Sequence, residues 1–440
     1  MQADLSQMPS EMIEKGKMCI LDGIGCGLYG LEFEATKFVL ELANEWAGRP
    51  EASIMGTGIK APSALAARAN GVAVHVADFD DTSAQLRGHP TAVVLPPALA
   101  LCERTFKTGR DLLLAYIVGV EVGAKLGKAM GWSHYGSGWH GTGTLGTIAA
   151  ASAAAKVLGL NEAKTAATLG IAASSACGIR ENFGTMVKSL HAGQASSAGV
   201  IAALLAEKGC DSSPTAFEGK SGFWHVYSGE HDINSWTDEL RGQSALMGVM
   251  AKRYPSCAAT HPALDALEDL IKEHHFAWEE VEEITCAIAP MNLSVLMYPS
   301  PANGLEAKFS LPYCVAAFLV RGKLELSDFE QQALDEPRVK QLMEKVKVVP
   351  EEAMEALIRA KDLIAPTKLH VRLPRGTIAK TAEEAKGGPS SPLPRTAIVD
   401  KFRTCAGRIL SREKVENALE LLSTLESLRH VATLTETLKP

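Results

Sequence analysis

Gly141-Thr142-Gly143-Thr144-Leu145-Gly146, running directly into Thr147-Ile148-Ala149-Ala150-Ala151-Ser152-Ala153-Ala154-Ala155, is the stretch over which two folds compete. Its first six residues match G-x-G-x-x-G letter for letter. A dinucleotide-binding turn needs a strand before the glycines and an acid about 20 residues later on a second strand. Here the preceding residues, Trp132-Ser133-His134-Tyr135-Gly136-Ser137-Gly138, read as a loop, and helix follows helix afterwards. The glycines therefore serve a tight loop and a close helix start. The alanine run serves close helix packing. The expected class is mainly α.

Outward from that stretch, residues 9–245 read as helix after helix: 9–29 with Ser10 as its cap, 33–47, 61–76, 91–102, 112–130, 147–158, 163–175, 192–207 and 214–218. The texture changes after Met250. Strands are expected at 281–289, 345–349 and 367–373. Pro374-Arg375-Gly376-Thr377 is read as a turn and 378–382 as the returning strand, with helices at 262–274, 310–321 and 337–344. Lys386-Gly387-Gly388-Pro389-Ser390-Ser391-Pro392 is a linker or turn, and helices resume at 396–406 and 412–428. The expected architecture is a large all-helical domain, 1–250, completed by C-terminal helices from 393–440. A smaller α+β domain, 251–392, is inserted between them.

A chain of 440 residues with 46% apolar and 22% charged residues is ordinary for a globular protein of two domains. Its formal net charge of −7 disfavours nucleic acid as a partner. It leaves room for a locally basic pocket that takes an anionic metabolite. The uncharged runs are broken by glycine, histidine and serine or are too short, so no membrane span is expected. The start of the chain lacks the pattern of a signal peptide. Nine scattered cysteines without a C-x-x-C pair suit reduced thiols and a cytoplasmic setting.

Polar islands interrupt this apolar chain: His75-Val76-Ala77-Asp78-Phe79-Asp80-Asp81-Thr82, Arg87-Gly88-His89-Pro90, Gly138-Trp139-His140-Gly141-Thr142, Lys188-Ser189-Leu190-His191 and Lys252-Arg253-Tyr254-Pro255-Ser256-Cys257. Removing a proton alpha to a carboxylate, or losing CO2, builds negative charge on carbon and on carboxylate oxygens. A base of near-neutral pKa and fixed cations lower that barrier. His89 and His140 supply the first, Lys188 and Lys252 the second. Asp78, Asp80 and Asp81 could hold a divalent metal, but a second acid-rich motif is missing, so no metal is expected. A helix cap or solvated acid patch accounts for two of the three, and one oriented aspartate against a catalytic histidine or a substrate hydroxyl for the other. Lys188 also reads as an exposed lysine and Tyr313 as a core aromatic. No G-x-S-x-G or H-E-x-x-H motif occurs, which leaves a serine hydrolase or zincin unsupported. A Mg²⁺-dependent helical enzyme and a non-catalytic binding protein remain as other classes.

These islands, with Asn182-Phe183-Gly184-Thr185-Met186-Val187-Lys188-Ser189-Leu190-His191-Ala192-Gly193, Ala307-Lys308-Phe309-Ser310 and Ala385-Lys386-Gly387, resemble the MmgE/PrpD family over nearly the whole chain. That family includes 2-methylcitrate dehydratase, cis-aconitate decarboxylase and iminodisuccinate epimerase. The resemblance implies an all-helical domain with an α+β lid, a homodimer, and a pocket for a small anionic carboxylate that uses no cofactor. It implies Asp78, His89, His140 and Tyr313 as catalytic positions, with Asp78 orienting an imidazole. It implies Thr82, Lys188 and Lys252 as substrate-binding positions; His191, three residues beyond Lys188, could share that helix face, and Cys257 is read as a further substrate-binding position. Two departures stand out: the loop from Thr82 to His89 is one residue longer than in the animal decarboxylase, and Cys257 replaces a histidine there. The activity implied is a dehydrating or decarboxylating lyase, with an epimerase as the alternative.

Overall fold

Long helices with few charges build most of this molecule, and the fold is mainly α. The computed structural model describes residues 3–228, 236–237 and 242–440. The parts of the expected helical run at 229–235 and 238–241 lie outside the described residues. The chain divides into two units: Met1–Glu181 with Val187–Ala251 and Pro394–Pro440, and Asn182–Met186 with Lys252–Leu393. The assignment of Asn182–Met186 to the second unit has no counterpart in the sequence reading. Tyr298 explains it, because its hydroxyl donates to the Phe183 carbonyl (2.7 Å) and the Phe183 ring lies 5.5 Å from that of Phe309.

The first unit contains α1 (Ser10–Gly30), α2 (Glu34–Trp46), α3 (Ser63–Val76), α4 (Pro90–Arg104), α5 (Gly109–Ala129), α6 (Leu145–Leu158), α7 (Glu162–Ala173) and α8 (Val187–Glu207). Helices Arg395–Ala406 and Arg412–Ser423 also belong to it. Helix α6 is buried along almost its whole length. Its alanines, which cost no side-chain entropy in a helix and keep its surface thin, let it touch α4, α5, α7 and α8 at once. Thr108 and Asp111 form a capping box that starts α5. Ser10 does not cap α1, where Pro9 occupies the cap position without a side-chain bond. The expected helix at 214–218 is a set of turns. Helix α8 starts at Val187, five residues before the expected start, and so takes in Lys188 and His191.

The glycines of 141–146 act as close-approach residues. A Cβ at Gly141 would collide with the Leu86 carbonyl, and one at Gly143 with the Cys177 carbonyl. Helix α6 then begins at Leu145 without a preceding strand.

The second unit holds β1 (Glu283–Ile288), β2 (Val346–Pro350), β3 (Thr367–Leu373) and β4 (Gly376–Ala382) in the order β2-β1-β3-β4. Strand β1 runs parallel to β2 and antiparallel to β3, with Cys286 opposite Val348 and Leu369. Leu369, Val371 and Leu373 alternate inward along β3. They join a core with α9 (His261–His274), α10 (Leu311–Arg321) and α11 (Pro337–Met343). Helix α12 (Glu352–Lys361) has no counterpart in the sequence reading. Only Met354 and Ile358 are buried in it, one i,i+4 pair among charged residues.

No described helix is long and apolar enough to cross a membrane. All nine cysteines are free thiols.

Candidate active site

The loop from α3 to α4 carries the chemistry of the first unit. His75 closes the apolar face of α3, and Asp78 reverses the chain at φ +52°, a left-handed conformation unusual for a residue with a side chain. Thr82 and Ser83 then pair antiparallel with Met250 and Val249, while the Thr82 hydroxyl donates to the Gly88 carbonyl (3.2 Å). His89 sits at the N-cap of α4, and its backbone N–H donates to the Thr142 hydroxyl (3.1 Å).

That reversal folds Asp80 back onto His75. Asp80 lies 3.0 Å from His75 Nδ1 and 3.3 Å from His89 Nδ1. On the opposite edge of His75, Nε2 accepts from the Lys188 ammonium at 2.9 Å, and Lys188 also donates to Asp78 Oδ1 at 3.1 Å. An ammonium has only donors, so His75 carries its proton on Nδ1 and gives it to Asp80. The carboxylate hydrogen-bonded to the His75 imidazole is therefore Asp80. Asp78 pairs with Lys188 and stands 3.8 Å from His89 Nε2. Asp81 instead accepts from the Thr91 backbone N–H and hydroxyl in the first turn of α4, which anchors the start of that helix.

His140 lies in the loop before α6 and His191 faces it from α8, with their Nδ1 atoms 3.0 Å apart. The His75, His89 and His140 rings lie within 6.5 Å of one another. Burial, reinforced by the Lys188 charge, pushes His75 down to about 3 and holds His140 well below the usual imidazole range. His191 is pushed down to about 4 by burial and then by His75 and Lys188. Burial alone would raise Asp80, but the His75 and His89 rings outweigh it and keep its carboxyl well below the usual range. Burial lifts Asp81 to about 7. The result is that His75, His140 and His191 are neutral beside an ionised Asp80 and the Lys188 side chain.

Lys401, on the C-terminal helix Arg395–Ala406, supports the loop from behind. Its ammonium pairs with Asp22 Oδ1 (2.7 Å), donates to the Phe79 carbonyl (2.6 Å) and lies 3.8 Å from the Phe79 ring centroid. It is separated by 322 residues from the carbonyl it holds.

Of the residues expected to act, the structure brings together Asp78, His89, His140, Lys188 and His191, and puts Thr82 in the same loop. Lys252, Cys257 and Tyr313 belong to the second unit. There Lys252 is buried, Cys257 is half-buried, and the buried Tyr313 hydroxyl donates to the Asp328 carbonyl. Sequence reasoning misses His75, Asp80 and Lys401 as individual residues. The spacing of His75 to the acid run is the available signal for the first two. A separate cavity of about 770 Å³ lies between α7 and residues 211–227, and none of the histidine cluster lines it.

Residues 1–235 match the MmgE/PrpD N-terminal domain and residues 254–427 the MmgE/PrpD C-terminal domain. The chain is 29% identical to cis-aconitate decarboxylase of Homo sapiens over 454 residues, covering 99% of this chain and 92% of that protein. It is 25% identical to cis-aconitate decarboxylase of Aspergillus terreus, with 98% and 92% covered. It is 25% identical to 2-methylcitrate dehydratase of Salmonella typhimurium, with 74% and 71% covered.

Proposed function

We propose that this chain, which belongs to the MmgE/PrpD family, is a lyase that removes water or CO2 from a small di- or tricarboxylate such as 2-methylcitrate or cis-aconitate. The observation that carries the reading is the Lys188 ammonium held between Asp78 and His75, beside the His140–His191 pair. A fixed cation next to neutral imidazoles is what carbanion-type acid–base chemistry needs. The names of the relatives, two decarboxylases of cis-aconitate and a dehydratase of 2-methylcitrate, support the same class of substrate.

In this proposal Lys188 binds a substrate carboxylate and, with it, the negative charge that develops in the transition state. Asp80, through His75, keeps that lysine aimed. His191 accepts or donates across the Nδ1–Nδ1 bond and so fixes which His140 tautomer faces the substrate. In dehydration, the C–H bond breaks toward His140, its electron pair forms the alkene, and the hydroxyl leaves as water with a proton that His89 has taken up from solvent. In decarboxylation, the C–C bond to the carboxylate breaks, CO2 leaves, and a proton that an imidazole of the cluster has taken up from solvent adds to carbon. An incoming carboxylate offsets the Lys188 charge that depresses His140, so the base strengthens when substrate binds. The roles that the resemblance implies for Lys252, Cys257 and Tyr313 rest on it alone. The implied homodimer is part of the same proposal, and sedimentation of the purified chain tests it.

Purified protein in D2O with cis-aconitate, 2-methylcitrate and iminodisuccinate, each followed by proton NMR, tests the reading. An alkene product with loss of water or CO2 supports a lyase. Deuterium exchange without such loss replaces it with an epimerase, which returns the proton to the opposite face. No change with any of the three overturns the substrate class.

A further inference from the structure

Among the described residues, His75, Asp78, Asp80 and His89 each offer a ligand atom within 4.8 Å of the others, and all four are buried. The hydrogen bonds divide these atoms into two layers. His89 Nδ1 lies 2.9 Å from the Asp81 carbonyl and 3.3 Å from Asp80, so Nδ1 carries a proton and Nε2 is the atom that a metal would meet once the ring is neutral. His75 likewise gives its Nδ1 proton to Asp80 and presents Nε2 inward. Asp80 thus backs both imidazoles in the way that outer carboxylates orient metal-binding histidines. Asp78 Oδ1 stands 3.8 Å from His89 Nε2. Two ligands sharing one tetrahedral zinc ion are about 3.4 Å apart, given bonds of about 2.1 Å.

A cation already sits on these donors: the Lys188 ammonium, at 2.9 Å from His75 Nε2 and 3.1 Å from Asp78 Oδ1. Both lone pairs that hold the ammonium could instead bind a metal ion. Two imidazoles and a carboxylate suit zinc rather than magnesium.

We infer that this donor set is also a zinc-class cation site, in which the metal displaces the Lys188 ammonium and is held by His75, His89 and Asp78 with Asp80 behind the rings. The binding does not depend on which reaction the cluster performs. It makes the metal and a Lys188-bound carboxylate mutually exclusive, so zinc opposes substrate rather than assisting it.

The test uses the full chain carrying Cys177→Ser and Cys210→Ser, which removes the two exposed thiols. The chain is stripped with a chelator and titrated with zinc chloride against a chromogenic competitor. One zinc per chain is expected. Lys188→Met, which removes the competing charge, should tighten binding by at least about tenfold. Asp78→Asn should loosen it by about as much. X-ray absorption of the bound zinc should give nitrogen and oxygen neighbours, imidazole among them, and no sulfur. Lack of stoichiometric binding in both the parent and the Lys188→Met chain overturns the inference. So does an affinity that Lys188→Met leaves unchanged or lowers, or sulfur in the zinc coordination shell. Circular dichroism of each variant separates a lost site from a lost fold.

Discussion

Two charged clusters, one in each unit, use the same kinds of side chain to opposite ends. In the second unit Arg253 grips Glu268 with two bonds of 2.7 Å and reaches Asp265 at 3.0 Å, while Lys386 binds Glu268 and Asp269 at 2.8 Å. The bonds from Arg253 hold Glu268 well below the usual carboxylate range. Each of these carboxylates meets a permanent cation, and the cluster reaches solvent through Arg253 and Lys386. In the first unit Asp80 meets two imidazoles while Asp78 meets Lys188, and burial keeps His75 and His140 neutral. Permanent, matched charge locks a structure. Neutral groups that can still gain a proton, set beside one lysine, can move protons. That difference, more than charge density, separates a brace from a reactive site.

The largest effect should come from the proton-moving cluster. His140→Ala should lower turnover by at least about 10²-fold while the folded signal persists. Near-normal turnover would remove His140 from the chemistry and break the contrast. The next effect is on stability. Lys401→Met leaves Asp22 buried without its partner, which should cost about 3–5 kcal/mol in urea unfolding. Asp22→Asn added to it should recover part of that loss, since the unpaired charge is the main penalty. If the double variant is no better than the single one, the pair does not brace the loop in the way its geometry suggests.

The uneven legibility of the molecule has a physical basis. Helix α6 and strand β3 declare themselves through alanine content and period-two alternation, which are local properties. Helix α12 shows only Met354 and Ile358 against a charged background, too few buried positions to make a period. In the site, His140, His89 and Lys188 stand out because polar residues interrupt apolar stretches. Three carboxylates within four residues cannot be told apart in the same way. Which of them faces His75 is set by the left-handed turn at Asp78, a backbone feature that leaves no mark in residue types. Lys401 has no local signal at all, because its importance arises from a contact 322 residues away.

Acidification sharpens the comparison on a smaller scale. Burial, followed by the Arg87 charge, pushes His134 down to about 3, and His191 sits at about 4. Both are depressed below an unfolded value near 6.5. The unfolded chain therefore takes up protons that the folded chain refuses. The stability from keeping these rings neutral is complete above about pH 6.5 and is lost as pH falls from there toward about 4. Each histidine contributes a slope of at most about 1.4 kcal/mol per pH unit. Urea midpoints measured from pH 7 to 4.5 should fall accordingly, and His134→Gln should flatten the fall. A midpoint independent of pH over that window would mean that these rings protonate in the folded state.

The smallest effect tests the other half of the contrast. Glu268→Gln removes one charge from the brace of the second unit but keeps an oxygen to accept from Arg253. Because Arg253 and Lys386 are partly solvated, screening limits the loss to about 1 kcal/mol or less. Turnover should be unchanged, since a matched ion pair neither gives nor takes a proton at neutral pH. A loss of turnover without a loss of stability would mean that the Arg253 network also tunes the chemistry. The division into brace and reactive site would then have to be replaced by a single electrostatic system.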